Sequence, residues 1–294
     1  MLTQVLFEIC IYERIYSTSI FDNQDEAIRF IALVIASVLI AAAGYIINDY
    51  FDQNIDHINK PTKVVVNRII SRRWVIFWHM FLSMSGLFFT SFALPIHHYW
   101  HLVLANMIAI IALWFYSTTL KKKLLVGNVL ISLLTAWVIV ILFFAKHPLN
   151  INDLLQVQHQ EVRFFRLMIV YASFAFIISL IREVVKDIED IEGDRKYGCT
   201  TMPIVWGINA SKVFVAVWVV VLIAAMVILQ IYVLGLGWWL SAVYCIILIV
   251  APLIWVLKLL FKAQSSAQFH QISSLIKFIM FTGILSMIFF KYYH

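Results

Sequence analysis

Long apolar runs recur along the whole chain and are separated by short polar breaks. They predict helices over residues 2–14, 28–48, 74–94, 101–120, 125–145, 164–186, 211–234, 238–261 and 273–292. Several of these runs approach the roughly 20 residues that a helix needs to cross a bilayer. We therefore expect an all-α, polytopic membrane helix bundle of about nine transmembrane helices around a central cavity. Because no polar block of comparable length occurs, residues 1–294 are expected to form a single membrane domain.

The composition agrees with this pattern. Of the 294 residues 63% are apolar and 13% are charged, and the mean hydropathy is +0.92. An ordinary soluble domain has roughly 45–50% apolar and about 25% charged residues. The three cysteines, Cys10, Cys199 and Cys245, are too widely spaced to suggest a disulfide framework or a zinc site.

The positive charges indicate an orientation in the membrane. If the N-terminus is cytoplasmic, sixteen of the 22 basic residues fall in or beside connections on the cytoplasmic side. This bias accounts for the formal net charge of +6 without a nucleic-acid partner. The pattern predicts an integral protein of the cell inner membrane, with the connections after residues 28–48 and 164–186 in the cytoplasm.

The acidic residues are concentrated at the ends of these two helices. Of the 16 acidic residues, three lie in residues 48–56, the first aspartate segment, and six lie in residues 183–194, the second aspartate segment. Each segment has three aspartates at positions i, i+3 and i+7, which on a helix fall within about 60° of one another. They are Asp49, Asp52 and Asp56 in the first segment, and Asp187, Asp190 and Asp194 in the second. Glu183, four residues before Asp187, joins the second face, whereas Glu189 and Glu192 are expected to point away from it, solvated or paired with Arg or Lys.

Like charges on one helix face destabilise a bare helix, so two such faces suggest bound cations. Ligands that are all oxygen favour hard ions, and Mg²⁺ typically takes one or two carboxylates together with phosphate oxygens and water. We predict that each set of three aspartates binds Mg²⁺ and that a diphosphate group bridges the two sites. Solvated loop ends that happen to be acidic are the simpler alternative, and the matched spacing argues against it.

Basic, amide and aromatic residues accompany the aspartates. Lysine and arginine near a diphosphate help to neutralise it as it leaves, although topology alone also places basic residues in these connections. Tyr116 is expected either to face a developing allylic cation or to serve as an interfacial anchor. Asn48 directly precedes Asp49 and is assigned to the site. The predicted substrate-binding residues are Asn48, Lys60, Lys63, Arg72, Lys121, Glu183 and Lys186.

These residues resemble the motifs of the UbiA-type intramembrane prenyltransferases. Asn48-Asp49-x-x-Asp52-x-x-x-Asp56 is similar to the first family motif, and Asp190-x-x-x-Asp194 to the second. Tyr116 with Leu120-Lys121 and Gly127-Asn128 looks like the middle segment of the family. Residues 182–194 with Thr200-Thr201-x-Pro203 most resemble the geranylgeranylglycerol-phosphate geranylgeranyltransferase branch. The resemblance implies Mg²⁺-dependent transfer from a prenyl diphosphate donor to a lipid-type acceptor, best matched by geranylgeranylglycerol phosphate in ether lipid synthesis.

Two departures from the family pattern are visible. The chain starts at what looks like the middle of the first family helix, so the N-terminus is expected to be truncated or misassigned. Asn67 stands where the family usually has Gly. Three alternatives stay open: a prenyltransferase acting on a quinone precursor, haem or another aromatic acceptor; a phosphatidyl-group transferase of the CDP-alcohol type, whose single dense Asp-Gly motif is not found; and an ion-coupled transporter.

Overall fold

The computed structural model describes residues 1–59, 65–147 and 159–293, and these residues form helices and connections but no strand. Eight helices in this described part are long and apolar enough to cross a membrane. We number them α1 Gln24–Asn59, α2 Arg72–Ala93, α3 Ile96–Thr118, α4 Val126–Lys146, α5 His159–Glu189, α6 Ile208–Gly235, α7 Trp239–Lys262 and α8 Ser266–Tyr292. The predicted all-α polytopic fold is thereby confirmed.

The first of the nine predicted helices is shorter than a transmembrane span. It consists of Leu2–Leu6, a π-helical turn Phe7–Tyr12 and Glu13–Tyr16, and it ends at Ser17 with a left-handed φ of 52°. We call residues 2–16 the N-terminal helix. Although it contains Gln4 and Glu8, both side chains are buried. These two polar groups are therefore part of the interior.

Helix α1 continues well beyond its predicted end at residue 48 and reaches Asn59. Hydropathy ends the apolar run at Asn48, but neither Gly nor Pro occurs between Asn48 and Pro61, so nothing in the sequence breaks the helix there. The extension is also packed against the rest of the protein, since Gln53 and Ile55 are both buried. As a result, the whole first aspartate segment is helical.

Clustering of contacts divides the chain into two compact units. Unit 1 comprises Met1–Lys121 and Ala136–Ala172. Within it α1 and α2 approach closely at Gly86, where an added Cβ would lie 2.8 Å from Ile40 Cγ1. Small residues permit such close packing of membrane helices, where dispersion contacts rather than hydrophobic burial hold helices together.

Polar side chains also tie the helices of unit 1 together. The side-chain amide of Asn106 on α3 donates to Thr90 Oγ1 on α2 over 3.0 Å. Asn106 Oδ1 in turn accepts from the indole N–H of Trp137 on α4 at 2.9 Å. These bonds satisfy groups that lipid cannot.

Unit 2 comprises Lys122–Thr135 and Ser173–His294 and has a large apolar core. Each of α5 to α8 contributes fully buried residues to this core, including Val184, Val219, Leu253 and Ile276.

Helix α7 accommodates a proline inside a transmembrane span. Pro252 has no N–H and therefore leaves the carbonyl four residues earlier, that of Leu248, without its helical donor. The hydroxyl of Thr282 on α8 donates to Leu248 O over 3.0 Å. A π-helical turn, Ile246–Val250, absorbs the irregularity in the same place.

Candidate active site

The first aspartate segment is organised around Asp52. Asn48, one turn earlier on α1, donates from its side-chain amide to Asp52 Oδ2 over 2.6 Å. Lys121 forms an ion pair with Asp52 Oδ1 and also donates to Asn48 Oδ1 at 3.0 Å. Three residues predicted for the site from sequence therefore lie together, and the Lys121 and Asp52 side chains are only 11% and 17% exposed.

Lys121 reaches Asp52 because of the way in which α3 ends. Helix α3 stops at Thr118, and a short 3-10 turn, Leu120–Lys122, follows. The turn places Lys121 beside Asn48 in the C-terminal part of α1. The two residues are 73 positions apart in sequence. Asn48 does not end its helix, because α1 continues to Asn59.

Gln53, which the sequence analysis did not single out, anchors the start of α2 to α1. The guanidinium of Arg72 donates to Gln53 Oε1 through Nε at 3.1 Å and through Nη2 at 2.7 Å. Its Cζ also lies 5.8 Å from the centre of the Tyr50 ring. The side-chain amide of Gln53 donates to Val66 O over 3.2 Å. Gln53 therefore holds Arg72 next to the first aspartate segment. Because Gln53 is neutral, it does not cancel the positive charge of Arg72.

The backbone conformation of Asn67 accounts for its place where the family usually has Gly. Its φ is 63°, in the left-handed region that glycine adopts without strain and that asparagine tolerates better than most residues. Its side-chain amide donates to Gln53 Oε1 over 3.2 Å. Asparagine thus satisfies the same backbone requirement as the usual glycine and adds a hydrogen bond to the site.

The remaining predicted residues of this segment have varied environments. Asp49 is exposed, whereas Asp56 and Tyr116 are half-buried. Tyr116 lies in the last turns of α3, two residues after Trp114, whose ring packs edge-on against Phe51 with 5.8 Å between centroids. Lys60 and Lys63 lie outside the described residues.

The second aspartate segment differs from the single helix that was predicted. Helix α5 ends at Glu189, and Asp190 has φ −94° and ψ 8° before the short helix Ile191–Lys196 begins. The assumption of one uninterrupted helix face from Asp187 to Asp194 is therefore wrong. The hydrogen bonding nevertheless continues through the break, since Asp190 N donates to Lys186 O at 2.9 Å and Asp194 N to Asp190 O at 3.2 Å.

Asp187 has an amide donor of its own. Asn128, buried near the start of α4, donates from its side chain to Asp187 Oδ2 over 2.8 Å. Leu125, the residue immediately before α4, has a φ of 58°, which is unusual for a bulky side chain. Packing of Leu125 against the core of unit 2 stabilises this conformation. Asn128 was not among the predicted site residues. The only signal for it in the sequence was the resemblance of Gly127-Asn128 to the middle segment of the family.

The charged neighbours of Asp187 are paired in different ways. Glu183, predicted to bind substrate, is buried and accepts from Arg182 Nη1 at 2.6 Å. Glu189 was expected to be solvated or paired with Arg or Lys, but its side chain is 8% exposed and lies 2.8 Å from Nδ1 of His270 on α8. Lys186 is half-buried on α5.

The donor chemistry of the two segments fits Mg²⁺, although the protein alone does not assemble a cluster. Among the described residues, no group of three His, Cys, Asp or Glu side chains is placed to hold a metal ion. Asp49 and Asp56 are separated by about 10 Å along α1, at 1.5 Å per residue, so three aspartates at this spacing serve better as pairs. Mg²⁺ needs only one or two carboxylates when phosphate oxygens and water complete its shell. The oxygen-only donors, which comprise the aspartates and Asn48, agree with that requirement.

The fold and these side chains together define a class of protein. Multiple apolar spans carry carboxylate-rich segments, and an ammonium group, a guanidinium group and side-chain amides lie beside the carboxylates. This is the equipment of a membrane enzyme that handles a charged phosphate ester attached to an apolar chain. It is the class of intramembrane prenyltransferases.

Comparison with known proteins agrees. Residues 19–282 match the UbiA prenyltransferase family, and the chain belongs to that family. The predicted enzyme class is therefore confirmed, in preference to an ion-coupled transporter or a CDP-alcohol-type transferase.

Several relatives are named digeranylgeranylglyceryl phosphate synthase. The protein of Methanothermobacter thermautotrophicus is 31% identical over 84% of this chain and 80% of its own length. That of Korarchaeum cryptofilum is 30% identical over 92% of this chain and 87% of its own.

Two solved structures share the fold. The chain is similar to a structure of a digeranylgeranylglyceryl phosphate synthase, with a TM-score of 0.61, 23% identity, and coverage of 97% of this chain and 90% of the other. It is also similar to the apo structure of a UbiA homologue from Aeropyrum pernix K1, with a TM-score of 0.67, 14% identity and 97% coverage of both chains.

Proposed function

We propose that the protein transfers a geranylgeranyl group from its diphosphate to geranylgeranylglycerol phosphate, as a step in ether lipid synthesis. Membership of the prenyltransferase family supports the donor, a prenyl diphosphate, and a lipid-type acceptor. The names of relatives that are 30–31% identical over most of the chain support this particular acceptor. The observation that carries the proposal is the contact of Lys121 with both Asp52 and Asn48 inside the first family motif.

Mg²⁺ would be held by two of the three aspartates Asp49, Asp52 and Asp56 in one segment, and by two of Asp187, Asp190 and Asp194 in the other. When bound, the ions neutralise charge on the diphosphate as it becomes the leaving group.

The protein side chains orient the carboxylates and add positive charge. Asn48 and Asn128 each donate to one carboxylate oxygen, which fixes the orientation of Asp52 and Asp187 and leaves lone pairs for an ion. Lys121 and Arg72 supply the charges that stabilise the departing diphosphate. We further propose that the Tyr116 ring faces the allylic carbon and stabilises its developing positive charge.

The acceptor then attacks that carbon. The C–O bond to the diphosphate breaks with its electron pair, a new C–O bond to the acceptor hydroxyl forms, and the hydroxyl proton is released. We place this reaction on the cytoplasmic side of the cell inner membrane, because the basic residues cluster around the same connections as the aspartates.

The test uses purified full-length protein, labelled geranylgeranyl diphosphate and a panel of acceptors, with mass spectrometry of the products. The wild type is expected to form digeranylgeranylglyceryl phosphate with Mg²⁺ present, and to form none after chelation with EDTA. Asp52→Asn and Asp190→Asn are expected to lose transfer and to keep their melting temperature. Glu192→Gln is the matched control, because Glu192 lies in the second aspartate segment but is exposed.

The panel also separates the acceptors. Product only with a quinone precursor or another aromatic acceptor would overturn the ether-lipid assignment but keep the donor chemistry. Full activity of Asp52→Asn or Asp190→Asn would overturn the assignment of the aspartate segments.

A further inference from the structure

A cavity of about 280 Å³ lies in unit 1 and is lined by residues that the reaction does not use. Its walls come from the N-terminal helix, the first turns of α1, the end of α2 together with the start of α3, and the end of α4. The polar lining consists of Tyr12, Glu26, Arg29, Tyr99 and Lys146.

This cavity is far from the first aspartate segment. Arg29 and Asp49 lie on the same helix, twenty residues apart, which corresponds to about 30 Å at 1.5 Å per residue. That distance is close to the thickness of the hydrocarbon core of a bilayer. The cavity is therefore at the opposite membrane face and is a separate site.

Lys146 is held in place by a buried carboxylate. Its Nζ lies 2.7 Å from Glu8 Oε1, and the Glu8 side chain is 1% exposed. Nζ also lies 4.3 Å from the centre of the Tyr12 ring. An ammonium group has three donors, so the ion pair with Glu8 fixes Lys146 without exhausting its hydrogen bonds.

Arg29 supplies a positive charge of a different kind. In the described part of the chain, no carboxylate lies within ion-pair distance of its guanidinium, although Glu26 lines the same cavity. A guanidinium presents a planar fork of donors that matches a phosphate group in a bidentate manner. The cavity thus offers one guanidinium and one anchored ammonium to a ligand.

The rest of the lining is apolar and includes Phe30, Leu33, Leu94 and Leu142. A ligand that suits both halves has a charged head and apolar chains. A volume of about 280 Å³ accommodates a headgroup, and the chains of a lipid would continue into the bilayer.

We propose that this cavity binds the phosphodiester headgroup of a membrane lipid, with Arg29 and Lys146 contacting the phosphate. The hydroxyls of Tyr12 and Tyr99 donate to the same group or to its glycerol oxygens. The carboxylate of Glu26 disfavours a second negative charge, so a phosphodiester is preferred over a phosphomonoester. By this charge argument the site is unsuited to a prenyl diphosphate.

The test measures how lipids stabilise the full-length protein in detergent micelles. Phosphatidylglycerol, phosphatidic acid, diacylglycerol and inorganic phosphate are titrated separately, and the melting temperature is recorded. Phosphatidylglycerol is expected to raise the melting temperature at the lowest concentration, whereas inorganic phosphate and diacylglycerol have little effect. Native mass spectrometry should detect one retained phosphatidylglycerol per protein.

Variants distinguish this site from general attraction to anionic lipids. Arg29→Gln is expected to weaken the phosphatidylglycerol effect at least tenfold, and Arg29→Lys to weaken it less. Arg166→Gln is the matched control, because Arg166 is exposed on α5 in unit 1 but does not line the cavity. Equal losses in Arg29→Gln and Arg166→Gln, or an undiminished effect in Arg29→Gln, would overturn the proposal. So would full stabilisation by inorganic phosphate alone.

If Arg29→Gln does not fold, the comparison of Arg29→Lys with Arg166→Lys decides the question. Both variants keep the positive charge, but only Arg29→Lys removes a guanidinium from the cavity. Prenyl transfer is measured in parallel and is expected to be unchanged in Arg29→Gln, because the site lies about 30 Å from Asp49 in the first aspartate segment. A failure of the lipid-binding proposal is thereby distinguishable from a failure of the proposed enzymatic function.

Discussion

Replacing Lys121 by glutamine is expected to change the binding of metal and of donor in opposite directions. In the structure the Lys121 ammonium occupies one oxygen of Asp52 and also contacts Asn48. Mg²⁺ must displace this ammonium to reach the same oxygen. The diphosphate, in contrast, gains from a nearby positive charge. Lys121→Gln removes both the ammonium group that competes with Mg²⁺ for Asp52 and the positive charge that favours binding of the diphosphate donor.

The magnitude follows from the burial of the pair. The two side chains are 11% and 17% exposed, so solvent screens their interaction less than at an open surface. A hydrogen bond to a charged group contributes about 1.5–3 kcal/mol. At about 1.4 kcal/mol per factor of ten, Lys121→Gln is expected to bind Mg²⁺ about ten to a hundred times more tightly when no donor is present. Its kcat/KM for geranylgeranyl diphosphate should fall by about the same factor.

Calorimetric titration of Mg²⁺ into the protein and steady-state transfer of labelled prenyl groups measure the two effects. Lys123→Gln is the control, because Lys123 is an exposed lysine two residues away. If Lys121→Gln binds Mg²⁺ with wild-type affinity, the ammonium does not compete for Asp52 and the reasoning is refuted. A fall in both metal affinity and turnover would refute it equally, since that would indicate general damage to the site.

Three further predictions concern the two units separately. Asn128→Ala removes the amide that orients Asp187 and should raise KM for the donor about tenfold, with little change in melting temperature; an unchanged KM would exclude the orienting role. Gly283→Ala should lower the free energy of unfolding by about 1–3 kcal/mol, because the new Cβ would lie 2.6 Å from Cε1 of the Phe174 ring. In a thermal melt, the double variant Gly283→Ala with Phe174→Leu should recover most of the lost stability. Burial lowers the pKa of His147, so the folded state favours the neutral ring. Stability from this residue should be complete above about pH 6.5 and be lost as the pH falls through the lowered pKa; melting temperatures between pH 7.5 and 5 should therefore drop more steeply for the wild type than for His147→Gln.

Particular errors show how far pattern reasoning extends. Hydropathy located every long helix but ended α1 at residue 48, because hydropathy reports contact with lipid and not helix continuity. The spacing of Asp187, Asp190 and Asp194 suggested one helix face, but a local backbone choice at Asp190 interrupts α5. Periodicity assumes a regular helix and has no means of detecting such a break.

Other residues of the site could not be found from spacing at all. Gln53 lies within the first motif, yet its role depends on Arg72 and Asn67, which approach it only after the chain has folded back. Lys121 was predicted to serve the substrate, and its direct pairing with Asp52 emerged only in three dimensions.

The sequence by itself determined that the chain is a helical membrane protein, because the cost of exposing the backbone to lipid restricts the chain to helices. The two matched aspartate segments suggested bound cations, and the resemblance of their motifs to a known family indicated a prenyltransferase. Only the tertiary structure decided which side chains meet those aspartates, since the partners come from distant helices whose approach depends on packing. It also revealed the cavity around Arg29 and Lys146. No linear pattern contains that cavity, because its walls are assembled from four separate segments of the chain.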